Sequence, residues 1–203
     1  MADRKRTVLC FGDSNTYGYD PRSFLEDRYP ADIRWTGLLS AAGYHVIEAG
    51  MNGRTIPDSL PAFRLFENMV DRVPLDGCVL LMLGSNDLLL QGSPSAEAVA
   101  ARMKAFLESE EERRQISRMG KRFVLLSPPA LREGTWVLGA DQIRESRKLG
   151  ECYRKIAELF EFSFVDMTAE DLPLCFDGVH LSEEGHRRVA EKAIEVLEKI
   201  QAM

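Results

Sequence analysis

Four short stretches of the chain carry residue types that can do chemistry together. Ser14 lies in Phe11-Gly12-Asp13-Ser14-Asn15-Thr16, and Gly53 in Gly50-Met51-Asn52-Gly53-Arg54-Thr55. Asn86 lies in Gly84-Ser85-Asn86-Asp87, and Asp177 and His180 share Asp177-Gly178-Val179-His180. A serine hydroxyl becomes a nucleophile only beside a base that takes its proton. His180 can be that base through Nε2, and Asp177, three residues earlier, can reach the other ring nitrogen from within one turn. Attack on an ester carbonyl puts negative charge on its oxygen, which then needs aimed donors. The backbone N–H groups of Ser14 and Gly53 and the side-chain amide of Asn86 are the candidates, glycine leaving no side chain in the way. The chemistry so assembled is acyl transfer from an ester to water. Each residue also has a plainer reading. Ser14 can cap or turn, Gly53 can be a turn glycine, Asn86 can form an Asx-turn, and His180 can sit at a helix entry.

Such a constellation needs a scaffold that brings four distant stretches to one edge. Five apolar runs read as buried strands: Thr7–Phe11, His45–Ala49, Cys78–Leu83, Phe123–Ser127 and Phe162–Asp166. Helical patterns alternate with them. Trp35–Ala42 stops at Gly43, and Leu60–Val70 aligns Phe63, Phe66 and Val70 on one face. Ser95 is read as the cap of a helix carrying Val99, Met103, Phe106 and Leu107, and Asp141 as the cap of one carrying Leu149, Tyr153, Ile156 and Phe160. Ser182 caps the last helix, whose inner stripe is Val189, Ala193, Ile194, Leu197 and Ile200. Strand–helix alternation implies right-handed parallel crossovers. The expectation is one α/β domain over residues 1–203, a three-layer α/β/α sandwich on five parallel strands ordered 2-1-3-4-5. All four chemical stretches then leave the ligand edge of one sheet. Two connections are longer than joining requires, Tyr17–Arg34 with Tyr17, Tyr19, Phe24 and Tyr29, and Pro128–Ala140 with Trp136. They read as binding loops or as surface loops packed on the body or another subunit.

Composition narrows the partners. The formal net charge is −6 with no strong basic cluster, which argues against nucleic acid or an anionic membrane surface. No apolar run approaches spanning length. The four cysteines show no CxxC spacing, Cys10 and Cys78 sit in apolar runs, and no signal peptide is read at the N-terminus. A reduced, cytoplasmic setting is therefore expected.

The four blocks, in this order and nearly spanning the chain, resemble those of the SGNH (GDSL-type) hydrolase family, nearest its small bacterial arylesterase/acetylesterase branch. Ile33-Arg34-Trp35-Thr36-Gly37 and Leu126-Ser127-Pro128-Pro129 add to the likeness. The resemblance implies a flavodoxin-like fold and no cofactor. It implies Ser14 as nucleophile, Ser14, Gly53 and Asn86 as oxyanion donors, and Asp177 and His180 completing a triad. It also implies a small-molecule ester as substrate and, with the loop aromatics, a homo-oligomer. Thioesters or lysophospholipids would present the same carbonyl; short acyl chains are expected of so small a body. One departure stands out: Asn15 occupies a position where the family usually has leucine, which puts the local packing in question. Asp13 is read as a structural turn acid. No G-x-S-x-G elbow occurs, which argues against the α/β-hydrolase fold. Three other readings compete. Asp177, His180, Glu183 and His186 could ligate a metal in a metal-dependent hydrolase. A flavodoxin-like binder could hold a nucleotide or phosphate without catalysis, although no Walker A or G-x-G-x-x-G is present. Cys175 could be a nucleophile, with no separate base to serve it.

Overall fold

The parallel sheet expected from the five apolar runs is present, with strand order β2-β1-β3-β4-β5. The computed structural model describes residues 6–23, 27–112, 116, 118–137 and 139–203. The strands are β1 (Thr7–Gly12), β2 (His45–Gly50), β3 (Cys78–Met82), β4 (Phe123–Leu126) and β5 (Ser163–Val165). The longer helices are α2 (Trp35–Ala41), α3 (Leu60–Val70), α5 (Ala96–Glu112), α6 (Ala140–Leu159) and α7 (Glu183–Gln201). Two short ones, α1 (Ser14–Tyr17) and α4 (Ser85–Leu89), follow β1 and β3 at once. The sequence pattern announces neither, because a single turn shows no periodicity.

Alternation along the strands splits the core in two. Leu9, Phe11, Val79, Leu81, Phe123 and Leu125 face a cluster with Phe66, Phe106 and Tyr153 of α3, α5 and α6. Val8, Cys10, Leu80, Met82, Val124 and Leu126 face Trp35, Leu39, Val189 and Leu197 of α2 and α7. Successive side chains of a strand point to opposite faces, so a run apolar throughout is buried on both, as in this three-layer sandwich. Phe66 joins the layers by edge contacts to Phe11 at 5.1 Å and Phe106 at 5.0 Å.

Ser95 and Ser182 cap as expected, accepting from the Ala98 N–H at 3.1 Å and the Gly185 N–H at 3.2 Å. Asp141 does not cap. α6 begins two residues earlier than such a cap implies, at Ala140 after Gly139, and Asp141 lies in its first turn, paired with Arg144 at 2.6 Å. A carboxylate suits the positive end of a helix there too, which is why the residue type alone misplaced the boundary.

Candidate active site

The carboxyl ends of β1, β2 and β3 and the turn before α7 converge. Ser14 opens α1 directly after β1, and Asp13 caps that turn by accepting the Asn15 N–H at 2.9 Å. His180 Nε2 lies 2.9 Å from Ser14 Oγ, and its Nδ1 lies 2.6 Å from Asp177 Oδ2. The other carboxylate oxygen, Oδ1, accepts the backbone N–H of Val179 at 2.9 Å and of His180 at 3.0 Å. Burial works to raise the Asp177 carboxyl, but the ring and the two backbone donors outweigh it and hold it below its ordinary value. Asp177, His180 and Ser14 are all buried, Ser14 with 6 % of its surface left open.

Gly53 sits in the turn after β2 with φ +71, and a side chain there would meet nothing within 4 Å. Glycine is needed for the left-handed backbone rather than for space. Arg54 braces this turn. Its guanidinium donates to the Gly12 carbonyl at 2.9 Å and to the Ala49 carbonyl, and lies 4.1 Å above the Phe11 ring. The Arg54 carbonyl accepts one hydrogen of the Asn86 amide at 3.0 Å. A primary amide has two hydrogens, so one remains for the cleft that Asn86 lines. Asp87 holds α4 to the same turn, accepting the Ile56 N–H at 3.0 Å.

These groups share one open cleft of about 350 Å³, lined by Ser14, Gly53, Asn86 and His180 with Asn52, Tyr19 and Trp136. Tyr19 and Trp136 come from the two long loops for which the sequence leaves a binding and a packing reading open; Asn52 is not singled out by the sequence. The Tyr19 ring lies 4.7 Å from the His180 ring and Trp136 5.0 Å, and the two aromatics stack at 6.0 Å. Their presence in the two long loops was the only signal. Phe24, from the first loop, lies outside the described residues. The Trp136 loop is fastened to the turn that carries Asp177. Trp136 N–H donates to the Asp177 carbonyl at 3.1 Å and Arg132 N–H to the Gly178 carbonyl at 3.0 Å. A Cβ on Gly134 would come within 2.1 Å of the Asp177 carbonyl carbon, so only glycine fits this approach.

Asn15, the departure from the expected pattern, packs without conflict. Its side chain is buried and donates to the Val179 carbonyl at 3.1 Å while accepting the Leu181 N–H at 2.8 Å.

The competing constellations do not assemble. Among the described residues no three His, Cys, Asp or Glu side chains group to hold a metal. Glu183 bonds Arg22 at 3.0 Å, and buried His186 accepts the Trp35 N–H at 3.5 Å, its imidazole pushed down to about 3 chiefly by burial. Burial also raises the Cys175 thiol, which lies 3.5 Å from the Tyr29 hydroxyl. A thiol so held is a poor nucleophile. No helix among the described residues is long and apolar enough to cross a membrane.

Comparison with known proteins bears on family and fold. The model of the GDSL-like lipase/acylhydrolase family matches residues 10–188. A search of curated proteins found no match. Among solved structures, Est24, a carbohydrate acetylesterase from Sinorhizobium meliloti, is 28% identical with a TM-score of 0.75, covering 98% of this chain and 99% of that one. A carbohydrate acetylesterase family member from the same organism is 27% identical with a TM-score of 0.75, covering 98% and 100%. The native M. smegmatis aryl esterase, 24% identical with a TM-score of 0.75 over 97% and 99% of the two chains, shares the fold. With a family match over most of its length, the chain belongs to the GDSL-like lipase/acylhydrolase family and is a carboxylic ester hydrolase.

Proposed function

We propose that the chain hydrolyses short-chain esters, acetyl esters foremost, of aryl or carbohydrate alcohols through an acyl-enzyme on Ser14. The observation that carries this is the unbroken run of hydrogen bonds from Asp177 through His180 to Ser14 at the mouth of an open cleft. His180 Nε2 takes the Ser14 proton as Oγ bonds to the ester carbonyl carbon. The oxyanion so formed is met by the N–H groups of Ser14 and Gly53 and the second hydrogen of Asn86. Collapse breaks the carbon–oxygen bond to the alcohol, which leaves with the proton from His180. Water then repeats the cycle: His180 takes its proton, the acid departs and Ser14 regains its hydrogen. Asp177 remains ionised and steadies the imidazolium in both halves.

Because His180 hands its proton to the leaving oxygen, the alcohol must lie on the His180 side of the cleft. That side is walled by Tyr19 and Trp136. Flat aromatic or sugar faces pack well on such rings. The structural likeness to the two S. meliloti acetylesterases supports an acetyl group on the other side. A homo-oligomer is proposed from the family resemblance and from Trp136, which packs on His180 yet keeps 51% of its surface exposed. A reduced, cytoplasmic setting is proposed from four cysteines that form no disulfide.

The test is hydrolysis of p-nitrophenyl esters from acetate to laurate by wild type and Ser14→Ala, with and without a fluorophosphonate. Wild type should prefer acetate and be inactivated. The variant should fold and lose turnover on the order of 10⁶-fold if the three residues act as a unit. Activity within tenfold of wild type in Ser14→Ala overturns the mechanism.

A further inference from the structure

The nucleophile and its base lie 166 residues apart in the chain, on two separate turns. Their 2.9 Å contact must be set by whatever holds those turns together. The Asp177 carboxylate cannot do this, because its side-chain bonds all stay inside the base's own turn. Asp13 cannot either, since its hydrogen bond stays in the nucleophile turn.

Asn15 crosses the gap. Its amide donates to the carbonyl of Val179 and accepts the N–H of Leu181, the two residues flanking His180. Two bonds on either side of one residue fix both its distance and its rotation. Asn15 is itself held: its N–H donates to Asp13, and its carbonyl accepts the Trp35 indole N–H at 3.0 Å. The side chain is 2 % exposed, so water does not compete for these bonds. An apolar residue of the same size would leave both the Val179 carbonyl and the Leu181 N–H without this partner, and buried polar groups do not stay unpaired without cost.

We propose that Asn15 is a positioning residue that holds His180 within reach of the Ser14 hydroxyl. The inference rests on the serine mechanism given above. A shift of about 1 Å in a reacting pair can cost roughly 10²-fold in rate.

The experiment uses the full chain carrying Asn15→Leu or Asn15→Asp, with active sites counted by a fluorophosphonate and kcat and KM measured per active site on p-nitrophenyl acetate. In Asn15→Leu the rate of serine labelling and the per-site kcat should fall together by about 10²-fold, with KM within about threefold. Asn15→Asp keeps an acceptor for Leu181 but offers no donor to Val179 as a carboxylate, so it should fall between. A role in folding alone would lower the number of active sites and leave the per-site rate unchanged; a per-site kcat within threefold of wild type in either folded variant overturns the proposal. If Asn15→Leu does not fold, Asn15→Asp decides by the same criterion. Failure of the wild type to label would instead bring down the serine mechanism itself.

Discussion

Asp177→Asn offers the sharpest test of how the base is armed. The two carboxylate oxygens have different duties. Oδ1 receives two backbone N–H groups, and Oδ2 receives His180 Nδ1 at 2.6 Å. In the asparagine variant the amide oxygen must stay with the two backbone donors, since an NH₂ there would face them. The NH₂ group is thereby set against Nδ1, which must become an acceptor. The imidazole proton then moves to Nε2 and points at Ser14 Oγ, where a lone pair is needed. The turn survives and the base does not. By analogy with other triads the loss approaches about 10⁴ in kcat, roughly 5 kcal/mol of transition-state stabilisation. Asp177→Ala would differ in kind, because it also unpairs two buried N–H groups at about 1–3 kcal/mol each and should lower stability. The assay is a pH–rate profile on one activated ester, with active sites counted and folding checked by urea melts. Asp177 is held below its ordinary value, so it stays ionised further down the acid side of the profile than a free carboxylate would. Full activity in Asp177→Asn with an identical acid limb would reduce Asp177 to a turn-former and leave a Ser14–His180 dyad.

Three further outcomes are expected. Asn86→Ala should lower kcat by about 10²–10³ with a smaller change in KM, since the donor acts mainly in the transition state; steady-state kinetics showing a change in KM alone would make Asn86 a substrate-binding residue. Trp136→Ala should narrow the preference for phenyl over ethyl acetate by about tenfold, the worth of one aromatic contact, while the acetate-to-butyrate ratio stays within about twofold; the reverse pattern would put Trp136 beside the acyl group. His186 stays neutral in the fold down to about 3, against an ordinary value of 6.5. The unfolded chain therefore binds the extra proton across that window, and stability is lost as pH falls from about 7 towards 3, by up to about 5 kcal/mol. Asp13, raised to about 6 chiefly by burial, acts in the opposite sense over the same range. The readout is thus the difference in urea stability between wild type and His186→Gln at pH 7 and 4.5, and parallel curves would refute it.

Much of the scaffold was legible because burial on two faces leaves a plain mark. β1, β3 and β4 are apolar at nearly every position, and α7 repeats its inner residues at helical spacing. The strand order followed from the simplest right-handed winding. What sequence could not supply was local geometry settled by distant partners. α1 and α4 are too short for a period, and their place is set by Asp13 and by the Ile56–Asp87 bond. Asn15 looked like a packing irregularity, since its two partners lie over 160 residues away. Tyr19 and Trp136 meet His180 only once two loops close over the sheet edge.

The seam at Gly134 bears on how substrate enters. A flap that swings aside must have slack at its base, and this one has none: Arg132 and Trp136 are tied to the backbone on either side of the Asp177–Gly178 peptide. Lifting the flap would drag the base off the serine, so every opening would switch the enzyme off. The doorway must instead stand permanently ajar. An ester whose alcohol is far larger than the cleft then still fits, with the remainder of the molecule trailing into solvent.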